Sequence, residues 1–322
     1  MKVFITGATG FVGRALVSEL ISSDVKIEAT VRNITAELPE GIRQIVCDDL
    51  SQLSEANSLI DILSDVDVVI HIAARAHVMK DTTSDPLSDY RKMNVTATGE
   101  IARQAAEAGV KRFIFVSSVK VNGESTEHNQ MFSENDAAQP SDDYGLSKFE
   151  AEQTLIELGK IFSMQVVIIR PPLVYGPGVK ANFANIIKLI NKGWPLPFGR
   201  VHNKRSMIAI DNLIAFIKLC MTHPAADNEL FLIAAKDDIS TTALLKNIAK
   251  AYGVKSILLP IPVALMSGLA KLLGKKALAD RLFGNLQIDT SKARRILDWS
   301  PVIPMDGQIE KMAELEKNKR RG

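Results

Sequence analysis

Within its first thirteen residues the chain passes from a short apolar stretch, Val3-Phe4-Ile5-Thr6, into Gly7-Ala8-Thr9-Gly10-Phe11-Val12-Gly13, and then directly into a helical pattern. Glycines spaced Gly-x-x-Gly-x-x-Gly between a strand and a helix permit a tight turn and a close backbone approach. They also leave the N–H groups of the first helical turn aimed at whatever lies in front of it. The rest of the first half keeps the same alternation. Runs at 25–31, 44–46, 66–72, 112–116 and 165–169 read as strands, and patterns at 12–22, 54–63, 87–108 and around Tyr144 read as helices. The run 66–72 is apolar enough for a strand covered on both faces. The expected fold is α/β, a Rossmann-like doubly wound parallel sheet.

After Arg170 the texture changes: prolines at 171, 172, 177, 195 and 197 interrupt it and mixed helices follow. This divides the chain into a domain over 1–170 and a smaller C-terminal α/β domain over 171–322, with segments near 206–235 returning to the first. The 322 residues suffice for a large shared core. A net charge of +2 and few aromatics, none interleaved with a basic stripe, argue against nucleic acid. The two cysteines, Cys47 and Cys220, lie far apart and make no disulfide or zinc framework, which fits a reducing, cytoplasmic setting. No metal site is expected. The chain enters a strand at once, so no signal peptide is expected. The apolar run 257–273 is broken by Pro260, Pro262, Ser267, Gly268 and Lys271, which argues against a membrane span and for a buried or partner-facing helix.

The strand–glycine–helix context points to a dinucleotide, with Gly7, Gly10, Phe11, Val12 and Gly13 cradling its pyrophosphate. About twenty residues on, where NAD enzymes often carry an acid for the ribose hydroxyls, the chain has Arg32. A guanidinium there suits a 2′-phosphate and favours NADP(H) over NAD(H); a solvated arginine after a strand is the plainer reading. Asp49 and Leu50, just past the third strand, are placed for the adenine edge, though an Asp there also caps helices.

Tyr144 and Lys148 are four apart on one helix face. An ammonium beside a phenol favours the phenolate and would make the tyrosine a proton donor and acceptor near neutral pH. Alone, the spacing fits an ordinary helix equally well.

Taken with the glycine turn, Asp49-Leu50, His71-Ile72-Ala73-Ala74, Asn94, Ser117-Ser118 and the run from Arg170 to Pro177, the chain resembles the extended short-chain dehydrogenase/reductase family. This is the NAD-dependent epimerase/dehydratase group acting on nucleotide sugars. The resemblance implies that Tyr144 exchanges a proton with a sugar oxygen, Lys148 binds the nicotinamide ribose, and Ser118 hydrogen-bonds the reacting oxygen, with Ser117 pointing away. It further implies that Ala73 and Ala74 let the cofactor lie against the fourth strand. Asn94 would support the site from behind, and Pro171 and Leu173 would meet the nicotinamide carboxamide. For the substrate, a UDP-sugar, it implies Asn182 and Arg205, with Arg281 as a second diphosphate clamp; Lys120 and His77 are further candidates for contact. A homodimer through helices near 87–108 and 144–160 is also implied.

Departures narrow the chemistry. The Asp-Glu pair that dehydratases carry after the catalytic hydroxyl is missing from Ser118-Val119-Lys120-Val121-Asn122-Gly123. Leu173 and Asn122 stand where UDP-galactose 4-epimerases usually have Asn and Tyr. The pattern is most similar to reductases acting at C4 of UDP-4-keto-6-deoxy-N-acetylhexosamines, the UDP-N-acetylquinovosamine dehydrogenase type of surface-polysaccharide biosynthesis. A UDP-glucose or UDP-GlcNAc 4-epimerase is the alternative, and a non-catalytic nucleotide-binding sensor a distant third.

Overall fold

The computed structural model describes residues 1–53, 58–76, 85–179, 181–274 and 276–319, without the side chains of 181, 182, 276–278 and 319. The first half lays down β1 (Lys2–Thr6), α1 (Phe11–Leu20), β2 (Lys26–Val31), β3 (Arg43–Val46), α2 (Ile60–Leu63), β4 (Val68–His71), α3 (Pro86–Arg91), α4 (Ala97–Glu107), β5 (Arg112–Val116), α5 (Asp143–Phe162) and β6 (Gln165–Arg170). All the strands expected from the sequence are present. Only the last turn of the helix expected over 54–63 is seen, and residues 54–57 are outside the described set. The helix expected over 87–108 contains a π segment, Lys92–Thr96, between α3 and α4.

The second half adds β7 (Leu173–Tyr175), α6 (Ala181–Asn191), β8 (Met207–Ala209), α7 (Ile210–Thr222), β9 (Leu230–Leu232), α8 (Thr241–Tyr252), α9 (Val263–Leu272), α10 (Lys276–Phe283), α11 (Ser291–Leu297) and α12 (Met305–Lys319). Among the described residues, seven strands form one parallel sheet in the order β3-β2-β1-β4-β5-β6-β9, and β7 pairs with β8 in a separate two-stranded sheet. The chain order reverses at β1, between β2 and β4, the kind of position where open α/β sheets bind ligands.

Strand alternation fills both faces of the sheet. Val3 and Ile5 pack with Leu16 and Val17 of α1 and Leu213 and Ile217 of α7. Phe4 and Val69 face the other way, into Ile101 and Ala105 of α4 and Ala151 and Leu155 of α5. Burial on both sides explains why β4 reads as a continuous apolar run. A third cluster joins Phe183 of α6, Leu245 and Ile248 of α8, and Met312 of α12 below β7 and β8.

One polar residue interrupts this interior at the end of β4. His71 is fully buried, bonded through Nδ1 to Thr6 Oγ1 at 2.7 Å and through Nε2 to Thr98 Oγ1 at 2.9 Å, and stacked on Phe115. Burial, with the Lys148 ammonium nearby, pushes its pKa down to about 3. The folded protein therefore keeps His71 neutral while the unfolded chain takes up a proton below its ordinary pKa near 6.5. Stability from this residue is intact above pH 6.5 and is lost as pH falls toward 3. Compared with His71→Gln, the wild type should lose up to about 1.4 kcal/mol more per pH unit between pH 6 and 4. Urea unfolding across that range checks it, and parallel pH profiles for the two proteins would contradict it.

Candidate active site

The site begins at the glycine turn. Gly7 has φ +76°, and a Cβ on it would lie 2.7 Å from the backbone N of Ala73. A Cβ on Gly13 would lie 2.1 Å from the carbonyl oxygen of Gly7, so the turn folds only without side chains at these two places. Gly10 ends the turn, donating to the Gly7 carbonyl at 2.9 Å, and no side chain caps α1. Phe11, Val12 and Gly13 open that helix with N–H groups unclaimed by a cap, a cradle that fits a pyrophosphate. Ala73, buried, and Ala74, half-buried, follow β4 beside it.

Around this cradle the expected residues fall at the carboxyl ends of the strands. Arg32 is exposed just past β2. Leu50 is buried, while Asp49 caps its own short turn, accepting from the Ser51 N–H at 2.9 Å and from the Gln52 amide. That local role is the capping alternative, and the hydrogen bonds from Ser51 hold the Asp49 carboxyl below its ordinary pKa. Pro171 is buried, its carbonyl accepting the N–H of Val119 at 3.0 Å, and Leu173 stands exposed at the start of β7.

The candidate catalytic residues come from β5's exit and from α5. Ser118 lies two residues past β5 and caps the turn Val119–Val121, and the residue is half-exposed. Ser117 points the other way, donating to Glu152 of α5. Tyr144 sits in the first turn of α5, edge-on to Tyr90 at 6.2 Å between ring centres. Lys148, one turn on, is 1% exposed; its ammonium donates to the Val116 carbonyl at 2.8 Å and lies 4.1 Å from the centre of the Phe115 ring.

The electrostatics correct one expectation. Burial pushes the Tyr144 phenol up, with Asp142 and then Tyr90 adding to it, whereas a lysine-lowered value was expected. The cause is geometric: the Lys148 ammonium is turned to the strand carbonyl and the Phe115 ring. Burial in turn drops Lys148 to about 7, against which Glu152 pulls upward. The phenol thus stays protonated and Lys148 carries only part of its charge near neutral pH, and a positive charge brought to the site would favour the phenolate.

Residues that motif reading passed over hold these groups in place. Glu152 is fully buried and takes the Arg170 guanidinium in two hydrogen bonds, at 2.9 and 2.5 Å, while Arg170 also donates to Asn122 at 2.9 Å. Its spacing was a signal: Tyr144, Lys148 and Glu152 continue one helix face at i, i+4 and i+8. Asp142 caps α5 through the Gly145 N–H at 2.7 Å and also holds Lys120, tying the Ser118 turn to the tyrosine's helix. Lys120, expected at the substrate, is thus engaged by Asp142 and by Glu124 at 2.9 Å. Asn94, in the π segment, donates to Ser147 at 2.9 Å and exchanges hydrogen bonds with the Arg75 backbone, a brace behind α5.

On the C-terminal side, Arg205 is half-buried, donates to the Gly284 carbonyl at 3.2 Å, and is held below its ordinary pKa by burial, with Glu124 and Arg281 both in electrostatic range. Arg281 pairs with Glu124 at 3.3 Å. The two arginines expected at a diphosphate therefore converge on one carboxylate, Glu124, which no motif marked. Asn182 lies in the first turn of α6 with its side chain outside the described residues, and His77 lies outside them altogether. Among the described residues no His/Cys/Asp/Glu cluster could hold a metal.

Glu152→Gln keeps the shape of the buried pair and leaves Arg170 without a counter-charge. It should cost about 3–5 kcal/mol in chemical denaturation. A change no larger than that of a surface substitution would show that the pair does not brace α5.

The NAD dependent epimerase/dehydratase family model matches residues 3–234. A UDP-glucose 4-epimerase from Vibrio cholerae is 43% identical over 99% of this chain and 97% of its own length. An N-acetyl-α-D-glucosaminyl-diphospho-ditrans,octacis-undecaprenol 4-epimerase from Escherichia coli O157:H7 is 29% identical over 85% of this chain and 82% of its own. Among solved structures, a UDP-glucuronic acid 4-epimerase from Bacillus cereus in complex with NAD superposes with a TM-score of 0.79 at 22% identity, covering 99% of each chain. The fold, the glycine cradle and the extent of these matches agree: the chain is an enzyme of the NAD dependent epimerase/dehydratase family.

Proposed function

We propose that the protein is a UDP-sugar 4-epimerase, inverting C4 of a UDP-hexose or its N-acetyl form. What supports this reading most is that a chain carrying the glycine cradle together with Ser118, Tyr144 and Lys148 is 43% identical over nearly all its length to a UDP-glucose 4-epimerase. The reductase favoured from motifs alone becomes the second reading.

A nicotinamide dinucleotide held at the glycine cradle would supply hydride exchange at C4. Tyr144 takes the proton from the C4 hydroxyl and returns it to the C4 oxygen after the 4-keto sugar has turned its other face to the hydride donor, which inverts C4. Ser118 donates a hydrogen bond to the C4 oxygen as its charge changes. Lys148 would hold the nicotinamide ribose, and its ammonium near the phenol would favour the phenolate. Arg205 and Arg281 hold the diphosphate, with the guanidinium fork suited to its oxygens. Residues 171–322 supply the sugar-nucleotide side of the cleft, and the active form is a homodimer paired through the helices near 87–108 and 144–160.

The second reading, C4 reduction of a UDP-4-keto-6-deoxy-N-acetylhexosamine in polysaccharide assembly, is favoured by Arg32, whose exposed guanidinium past β2 suits an exchangeable NADP(H). The relative from E. coli is named for a sugar carried on diphospho-undecaprenol, and that carrier, like UDP, contains a diphosphate.

The purified protein should interconvert UDP-glucose and UDP-galactose, or UDP-GlcNAc and UDP-GalNAc, with no net change in nicotinamide absorbance. Stoichiometric NADPH consumption with a 4-keto sugar, without such interconversion, would establish the reductase instead. Tyr144→Phe should lower turnover by about 10²–10⁴ while the dinucleotide released on denaturation stays near one per chain. A fully active Tyr144→Phe enzyme would remove the tyrosine from the mechanism.

A further inference from the structure

The apolar run 257–273, expected to be buried or to face a partner, forms a helix, α9, with no buried residue. Leu265, Leu269, Leu272 and Leu273 are 66, 59, 85 and 62% exposed. Their spacing, i, i+4, i+7 and i+8, places them on one face, so the helix presents to solvent the stripe that a surface helix ordinarily turns inward. An exposed apolar face of this kind marks an interaction surface.

Charge identifies what covers it. Residues 256–279 contain no Asp or Glu and three lysines, and Lys271 is exposed among the leucines. A second copy docked face to face would add no acidic partner for Lys271, since a two-fold contact pairs a patch with itself. A bilayer of anionic lipid offers hydrocarbon to the leucines and negative headgroups to the lysines. The helix spans ten residues, about 15 Å, roughly half a hydrocarbon core, so it lies in the interface and does not cross it.

The placement gives this surface a use. α9 packs on α10, whose Arg281 holds Glu124, and Glu124 holds Lys120 two residues past Ser118. Trp194, 62% exposed, stands two residues before Leu196, whose backbone pairs with Ile257 and Leu259 ahead of α9. We propose that α9 docks the enzyme on anionic membrane surfaces, holding the diphosphate side of its site next to the bilayer. This goes beyond the reaction assigned above; the docking itself stands without that reading, and only the placing of the diphosphate side rests on it.

The test is co-sedimentation of the full chain with vesicles of phosphatidylglycerol and phosphatidylethanolamine, against vesicles of phosphatidylcholine alone. Wild type should sediment with the anionic vesicles, and added salt should weaken the binding. Leu265→Glu with Leu269→Glu should lower partitioning at least about tenfold while leaving C4 chemistry on a soluble UDP-sugar unchanged. Lys271→Glu should give a smaller loss. The proposal is overturned if wild type stays in the supernatant, or if the double variant sediments equally well. It is also overturned if size-exclusion chromatography shows the leucine variant losing an oligomer that had no vesicle affinity, which would assign the face to a second copy.

Discussion

Everything near the candidate active site depends on keeping α5 fixed against the sheet, and one buried ion pair supplies much of that constraint. Glu152 and Arg170 meet where β6 leaves the sheet, and Ser117 adds a third hydrogen bond from β5. Such a pair contributes little net stability, because desolvating both charges offsets their attraction. Its directional bonds nevertheless allow one rotation of the helix and one height along it. Tyr144 and Lys148 are two turns and one turn away on the same face, so the pair sets where they point. Asp142 and Asn94 then fix the front and the back of the same helix.

With α5 held, electrostatics decide the chemistry. Lys148 is buried against a carbonyl and an aromatic ring, and Tyr144 is raised by burial and by Asp142. A site in this condition is a poor proton acceptor by itself. A positive charge placed beside the phenol would favour the phenolate, so proton transfer here is governed by the charge that the site holds.

Much of this was legible in the sequence, for identifiable reasons. The sheet was readable because β4 and β5 are buried on both faces and must be apolar, and the glycine turn because a Cβ at Gly7 or Gly13 has nowhere to go. The placing of Tyr144 and Lys148 on one face of α5 was readable because it is local, two residues one turn apart. What escaped is what depends on long-range contact. Glu124 gathers Lys120 from its own turn and Arg281 from 157 residues away, and Glu152 gathers Arg170 across a loop and a strand. The direction of the Tyr144 shift was misread because adjacency along a helix does not say which way a lysine turns. α9 was read as buried or partner-facing from its composition, and only the fold shows that its leucines point outward.

The π segment at Lys92–Thr96 has one more consequence, and it concerns chain length. Each helical residue advances about 100° around the axis, and the wider turn absorbs one extra residue. That extra residue lets Asn94 aim at Ser147 while Ile101, Ala102 and Ala105 of α4 still face the sheet. Removing one residue here, whatever its identity, would rotate either the asparagine away from α5 or the whole apolar stripe of α4 away from the core. The segment thus acts as a phase adjuster between a structural helix and a functional one. Its length is as firm a requirement of the site as any of its side chains.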